Sequence, residues 1–312
     1  MEFLLGYLSS TAFALIAALA LDRLFGEPSR WHPLVGFGKW ASYCRRLLQL
    51  PTEVKACHQR LNGVLAWGLA VIPFLIGLSL LLWLLPSWME FIVGTLVLYG
   101  AIGWQSLRQH SLAIAEPLRH GWLDEAREAV GRIVSRDTDS LTEPEIAKAG
   151  IESVLENGSD AIFAPIFWFV VLGPVGALLY RLSNTLDAMW GYKTESLLHF
   201  GWCAARVDDV LNFIPARLVV LTYAVCGNFD CAMRCARRQG RGWKSPNAGP
   251  VMAAGAGALT VRLGGTAQYF GEAQRRPTLG EGAAPTVEHL DRSVGLIDKG
   301  VFVWAVLICI LI

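Results

Sequence analysis

The chain has 312 residues, 54% of them hydrophobic and 17% charged, with a formal net charge of +1. Soluble domains carry about 25% charged residues, so the deficit points to a bilayer, and the near-neutral balance gives no argument for a nucleic-acid partner. The seven cysteines (44, 57, 203, 226, 231, 235 and 309) form no CxxC pair; Cys231 and Cys235, one helical turn apart with no His beside them, read as small apolar packing residues.

Taken in order, residues 3–21 form an uncharged run long enough to span about 30 Å of hydrocarbon. It lacks a basic leading segment and a processing site, so it does not read as a cleaved signal. Residues 22–63 are polar and hold seven Lys/Arg. Runs 64–85 and 88–104, joined at Pro86-Ser87 and edged by Trp88 and Trp104, predict a transmembrane hairpin. The positive-inside rule puts 22–63 and 105–160 in the cytoplasm and the 86–87 turn outside. Residues 105–134 carry apolar positions at helical spacing between charges and predict amphipathic helix. Thr142, Pro144 and Glu145 mark a helix start, and the helix is expected to stop at Asn157-Gly158.

Run 161–182 is broken by Pro165 and by Gly173-Pro174-Val175-Gly176. A break of that kind frees backbone groups, which must face protein or a wet cavity. The run is therefore a kinked span or a re-entrant segment. Residues 211–229 are a weaker run with Pro215 and Arg217; 230–247 are basic; 248–265 predict a Gly/Ala-rich helix turning at Gly264-Gly265; and a last helix is expected from near Val294 to the end. The expected fold class is all-α: a polytopic membrane protein of about 4–6 membrane segments, including re-entrant or broken helices, with cytoplasmic amphipathic helices. It is expected to form a single membrane-integrated catalytic domain over 1–312.

The residues suited to chemistry gather between Ser135 and Arg217. Glu152 and Glu156 share a helix face, with Asn157 and Asp160 beside them. Asn184 and Asp187 share another face, and Asp208 and Asp209 each fall on a face with Asn212. Such acids and amides are an oxygen set suited to Mg²⁺ holding a polyphosphate, because Mg²⁺ takes one or two carboxylates and fills its other positions with phosphate oxygens and water. Each pattern alone also reads as a charged helix face, a cap or a pair with Arg206 or Arg217. Arg136, Arg206 and Arg217 supply cations with the planar fork that suits phosphate. Ser245 and Asn247 precede the Gly/Ala helix, whose first N–H groups could hold an anion; the plainer reading is a turn with Asn247 as cap. His32 and His199 have no ligand spacing. The residues alone leave three classes open: ATP-dependent ligation, prenyl-type transfer and ion-coupled transport.

The order of motifs resembles the adenosylcobinamide-phosphate synthase family across nearly the whole chain. It runs through Leu21 to Pro28 with Trp31-His-Pro33, Ser135-Arg-Asp-Thr138, Glu152 to Asp160, Asn184-Thr-Leu-Asp187 with Gly191-Tyr192, and Ala205 to Asn212 with Pro215-Ala-Arg217. Ser245-Pro-Asn247, Leu263-Gly-Gly265 and Tyr269 complete it. Val154-Leu155 departs from an expected small residue, as a packing change. The resemblance implies a bacterial inner-membrane ligase with a cytoplasmic site. It would join adenosylcobyric acid to (R)-1-amino-2-propanol O-2-phosphate with ATP and Mg²⁺, through an acyl phosphate. It further implies catalytic roles for Asp137, Glu152, Glu156, Asp208 and Asp209. Metal-holding roles fall to Asp160, Asp187, Asp208 and Asp209. Nucleotide or substrate contacts fall to Arg136, Arg206, Arg217, Asn157, Asn184, Asn212, Ser245 and Asn247. Corrinoid and amino-alcohol phosphate are the expected substrates, and membrane lipid the expected surroundings. Other membrane enzymes of late cobalamin synthesis and a second copy of the chain are candidate partners.

Overall fold

The computed structural model describes residues 2–27, 33–269 and 271–311, with side chains in the first helix described from Ser10 onward. Trp31 and His32 lie outside the described residues. In chain order the helices are α1 (Glu2–Phe25), α2 (Pro33–Leu48), α3 (Ala56–Leu84), α4 (Ser87–Ala101), α5 (Trp104–His120), α6 (Leu123–Gly131) and α7 (Glu143–Gly158). A π turn (Ser159–Phe163) follows, then α8 (Ala164–Trp190), α9 (Trp202–Leu211), α10 (Phe213–Cys226), α11 (Phe229–Gln239), α12 (Ala248–Leu259) and α13 (Val287–Leu311). Between α12 and α13 lie four short strands: β1 (Leu263–Gly264), β2 (Ala267–Tyr269), β3 (Glu272–Gln274) and β4 (Thr278–Leu279). Among the described residues, four stretches are long and apolar enough to cross a membrane, Ala56–Leu84, Ser87–His120, Glu143–Trp190 and Val287–Leu311, with a fifth if α9 and α10 count as one broken span. The protein is an all-α polytopic membrane protein, to which the strands add a small antiparallel element that the sequence pattern does not announce.

The contacts divide the chain into two compact units. One takes the residues up to Gly103 and Ala164–Asn212; the other takes Trp104–Phe163 and Phe213–Leu311.

In the first unit, α2, α3, α8 and the segment before α9 share a core built on Phe37, Ala41, Ala70, Leu186, Trp190 and Phe200. Small residues allow the close approaches. A side chain at Gly63 would meet the Phe200 carbonyl at 2.0 Å, so α3 and the 191–201 segment approach backbone to backbone. Within α8 the expected break is present: Gly173 sits at φ 65°, ψ −157°, followed by Pro174, and Gly94 of α4 packs on the Pro174 ring. A positive φ at that point is open to glycine at little cost and strains any other residue. Beside the break lies a cavity of about 500 Å³ lined by Thr11, Glu90, Phe91, Phe169, Gly173 and Pro174 among others.

In the second unit, α7 opens as the sequence predicts. Thr142 and Glu145 form a capping box, with the Thr142 N–H donating to Glu145 Oε2 at 2.9 Å. The α-helix ends at Gly158 as expected, but not through a glycine stop: Gly158 is a packing glycine, and the chain continues directly into the π turn. A Cβ there would lie 2.5 Å from Ile297 and 2.9 Å from the Tyr223 hydroxyl, and that hydroxyl donates to the Leu155 carbonyl at 3.0 Å. Leu155 is itself buried against Gly255 of α12, where a Cβ would meet it at 2.5 Å. The last helix begins at Val287 instead of near Val294. Its internal charge is compensated, since Asp298 accepts from Trp104 Nε1 at 2.8 Å and pairs with Arg108. The Gly/Ala helix stops at Leu259, earlier than 265, because Thr260 adopts the left-handed conformation and the chain turns into β1.

Candidate functional site

The carboxylates singled out from the sequence fall into two groups, one in each unit. In the first unit, helical spacing places Asn184 on α8 and Asp208 and Asn212 on α9, and the packing of α8 on α9 brings them together. Asp208 is buried, and both its oxygens are held: Oδ1 accepts from Asn184 Nδ2 and Oδ2 from Asn212 Nδ2, each at 3.1 Å. Tyr180 donates to Asn212 Oδ1 at 2.9 Å, fixing which way that amide faces, and Trp168 Nε1 donates to the Leu211 carbonyl at 2.9 Å, fixing the end of α9. Asp209 is paired with Arg206 at 3.1 Å, with that guanidinium largely in solvent, and Lys193 adds positive charge nearby. Asp187, one turn along α8 from Asn184, accepts the Gly191 N–H at its carbonyl (2.7 Å). A Cβ at Gly191 would strike the Asp187 carboxylate at 2.0 Å, so only glycine leaves that carboxylate where it is.

In the second unit Glu152 is enclosed. Its side chain is 3% exposed and pairs with Arg136 and Arg276, each 7% exposed. Arg276 reaches it with two nitrogens, at 3.0 and 3.3 Å, and the Gly264 N–H donates to Oε1 at 2.8 Å. Arg276 also donates to the Gly265 carbonyl at 3.1 Å and lies over the Trp243 ring. Glu152 thus ties α7 to the strand segment. Asp137 does the same from the other side: its N–H donates to the Gln268 carbonyl at 3.0 Å, and its carboxylate accepts the Gly271 N–H at 2.7 Å. Asn157 folds back on its own helix, donating to the Ser153 carbonyl and hydroxyl, while Glu156 and Asp160 are half-buried.

The reading of the α12 start is corrected. The Ser245 hydroxyl accepts from the N–H groups of Asn247 and Ala248 at 3.3 and 3.2 Å, and its carbonyl accepts from Gly249. Pro250 has no N–H, and Val251 bonds to the Asn247 carbonyl. The first turn is therefore saturated from within and offers no open donors to an anion. Asn247 holds the N-cap position as expected, but the Ser245 hydroxyl makes the capping bonds; Asn247 Oδ1 instead accepts from Arg217, which also donates to the Pro246 carbonyl at 3.2 Å and stacks on Phe213.

Among the described residues, no three of Asp137, Glu152, Glu156, Asp160, Asp187, Asp208 and Asp209 converge into a preformed cage. Arg276 and Tyr180 were not legible as site residues: Arg276 contacts Glu152 across 124 positions, and Tyr180 reads as one more aromatic of an apolar run.

Residues 15–297 match the CobD/Cbib protein family. A cobalamin biosynthesis protein CobD of Chromobacterium violaceum is 53% identical over 302 residues, covering 96% of each chain. The protein of that name from Stutzerimonas stutzeri is 52% identical over 300 residues (95% of this chain, 96% of that one), and the one from Mycobacterium tuberculosis 37% over 306 residues (95% of each). No solved structure matches the chain.

Proposed function

The chain belongs to the CobD/Cbib protein family, and from that premise we propose that it is an inner-membrane enzyme of cobalamin biosynthesis. In this reading it is an acid–amine ligase that joins adenosylcobyric acid to (R)-1-amino-2-propanol O-2-phosphate with consumption of ATP. A carboxylate does not react with an amine at neutral pH, so the corrin propionate is activated, in this reading as an acyl phosphate.

The observation that supports it is the setting of Asp208. Two neutral amides hold a buried carboxylate in place, and no basic side chain forms an ion pair with it among the described residues. With Asp187 and Asp209 on the same pair of helices, the donors are all oxygen and the charge is negative, which fits a hard cation such as Mg²⁺ bound through one or two carboxylates. When bound, that ion would supply charge stabilisation at the phosphates. The protein's own residues do the rest. Tyr180, Asn184 and Asn212 keep Asp208 in one orientation. Arg206 offers a guanidinium fork to phosphate oxygens. Asp209, partly exposed, is the carboxylate we assign to accept the proton the attacking amine must lose.

Purified protein in detergent, given ATP, Mg²⁺, the corrin acid and the aminopropanol phosphate, is expected to release ADP only when both acceptors are present. ADP release that ignores the corrin would overturn the ligase reading. We place the 183–210 segment on the cytoplasmic side, where ATP is. A cysteine introduced at Thr194, in a background without the exposed Cys57 and Cys309, is expected to resist an impermeant reagent added from outside. Labelling in intact cells would reverse that placement.

A further inference from the structure

Away from the acids described above, the second unit brings Cys231 and Cys235 of α11 beneath Glu281, which follows β4. One ligand atom from each of the three lies within 4.8 Å of the others. The two sulfurs are 3.9 Å apart. Two thiolates on a tetrahedral zinc-type ion, at about 2.3 Å from it, sit about 3.8 Å from each other. We propose that Cys231, Cys235 and Glu281 bind a thiophilic divalent cation of the zinc class, with water as the fourth ligand, and that the ion anchors the strand segment to α11.

Three features hold the donors where the ion needs them. Gln239 clamps the residue before Glu281, accepting from the Gly280 N–H at 2.6 Å and donating to its carbonyl at 3.4 Å. Gly280 itself turns with φ 80° and lies so close to the Val261 carbonyl that a Cβ would meet it at 2.1 Å. Gly257 of α12 packs on the Cys231 carbonyl, where a Cβ would come within 2.7 Å. Both thiols are buried, so they are shielded from bulk solvent and oxidant.

The charges also balance. Arg234 donates to both Glu281 oxygens, at 3.4 and 2.9 Å, and so orients that carboxyl group. Binding the cation releases both thiol protons to solvent. The dication with two thiolates and one carboxylate carries one negative charge, and the Arg234 guanidinium offsets it. Arg234 then plays the part of the outer partner that orients a ligating carboxylate.

The test is a titration of the chelator-stripped full-length protein in detergent with Co²⁺ as optical probe, followed by Zn²⁺ competition. One Co²⁺ per chain with sulfur-to-cobalt charge-transfer absorption is expected, lost in Cys231→Ser and Cys235→Ser. Glu281→Gln should weaken it by more than the roughly 10–100-fold that loss of an outer partner costs, and Cys226→Ser should leave it unchanged. Thiol alkylation read by mass spectrometry, run in a denaturant concentration at which the stripped protein exposes both thiols, checks the wild type without any variant: Zn²⁺ should protect Cys231 and Cys235. Absence of the charge-transfer band in wild type, equal binding by the two serine variants, or no protection by Zn²⁺ each overturns the site.

Discussion

Asp208 and Glu152 are both buried carboxylates on helices, and their partners differ in kind. Glu152 meets two guanidiniums and a backbone N–H, so its charge is more than cancelled. Asp208 meets two neutral amides, so its position is set and no counter-charge cancels it. A cancelled charge serves as a clamp; a charge oriented by neutral donors remains able to attract a cation. That difference separates two residues which the sequence places in one pool of acids. In the function proposed above, Glu152 holds the strand segment and Asp208 serves the chemistry.

Substitutions at the two positions should fail in different ways. The largest effect is expected on turnover: Asp208→Asn should cut it on the order of a hundredfold or more, because a metal-holding carboxylate contributes several kcal/mol to the transition state. The same variant should insert normally and lose only about 1 kcal/mol of stability, the range of one changed hydrogen bond. Near-normal turnover would remove Asp208 from the site. Next in size, Glu152→Gln leaves two buried guanidiniums without a counter-charge, and breaking such a cluster costs about 3–5 kcal/mol. The readouts are a lower Tm in detergent and faster proteolysis of the strand segment (263–279). A variant as stable as wild type would contradict the clamp. Smaller still, Ser245→Ala removes a helix cap and should cost about 1 kcal/mol, with KM for ATP unchanged; a raised KM would restore Ser245 to the nucleotide contacts that the sequence suggests. The least effect is expected from Tyr180→Phe, about 1 kcal/mol or less, with a modest fall in kcat as Asn212 loses the bond that orients it.

Several features that position the two groups were open to reading in the chain itself. The apolar runs, the Gly173-Pro174 break, the box at Thr142 and Glu145, and the one-turn spacing of Asp208 and Asn212 are all local. Local features leave a period, a cap or a forbidden dihedral that a linear string displays. Gly158 shows the limit of that logic. A glycine ending a polar helix reads as a stop, yet here it makes room for Tyr223 and Ile297, two residues remote in sequence. Ser245 shows it again, because the choice of cap between two suitable residues depended on where Arg217 points.

The sequence by itself determined the membrane character, the helices and the broken segment, since these follow from hydropathy, length and backbone sterics acting over a few residues. Only the tertiary structure decided which acids are cancelled and which are not. Arg276 and Gly264 reach Glu152 from 124 and 112 positions away, and Glu281 comes to Cys231 and Cys235 only through the Gly280 turn that Gln239 holds. A carboxylate's chemistry is set by the charges within a few ångströms of it, and contacts made across such distances in the chain leave no periodic trace in its order.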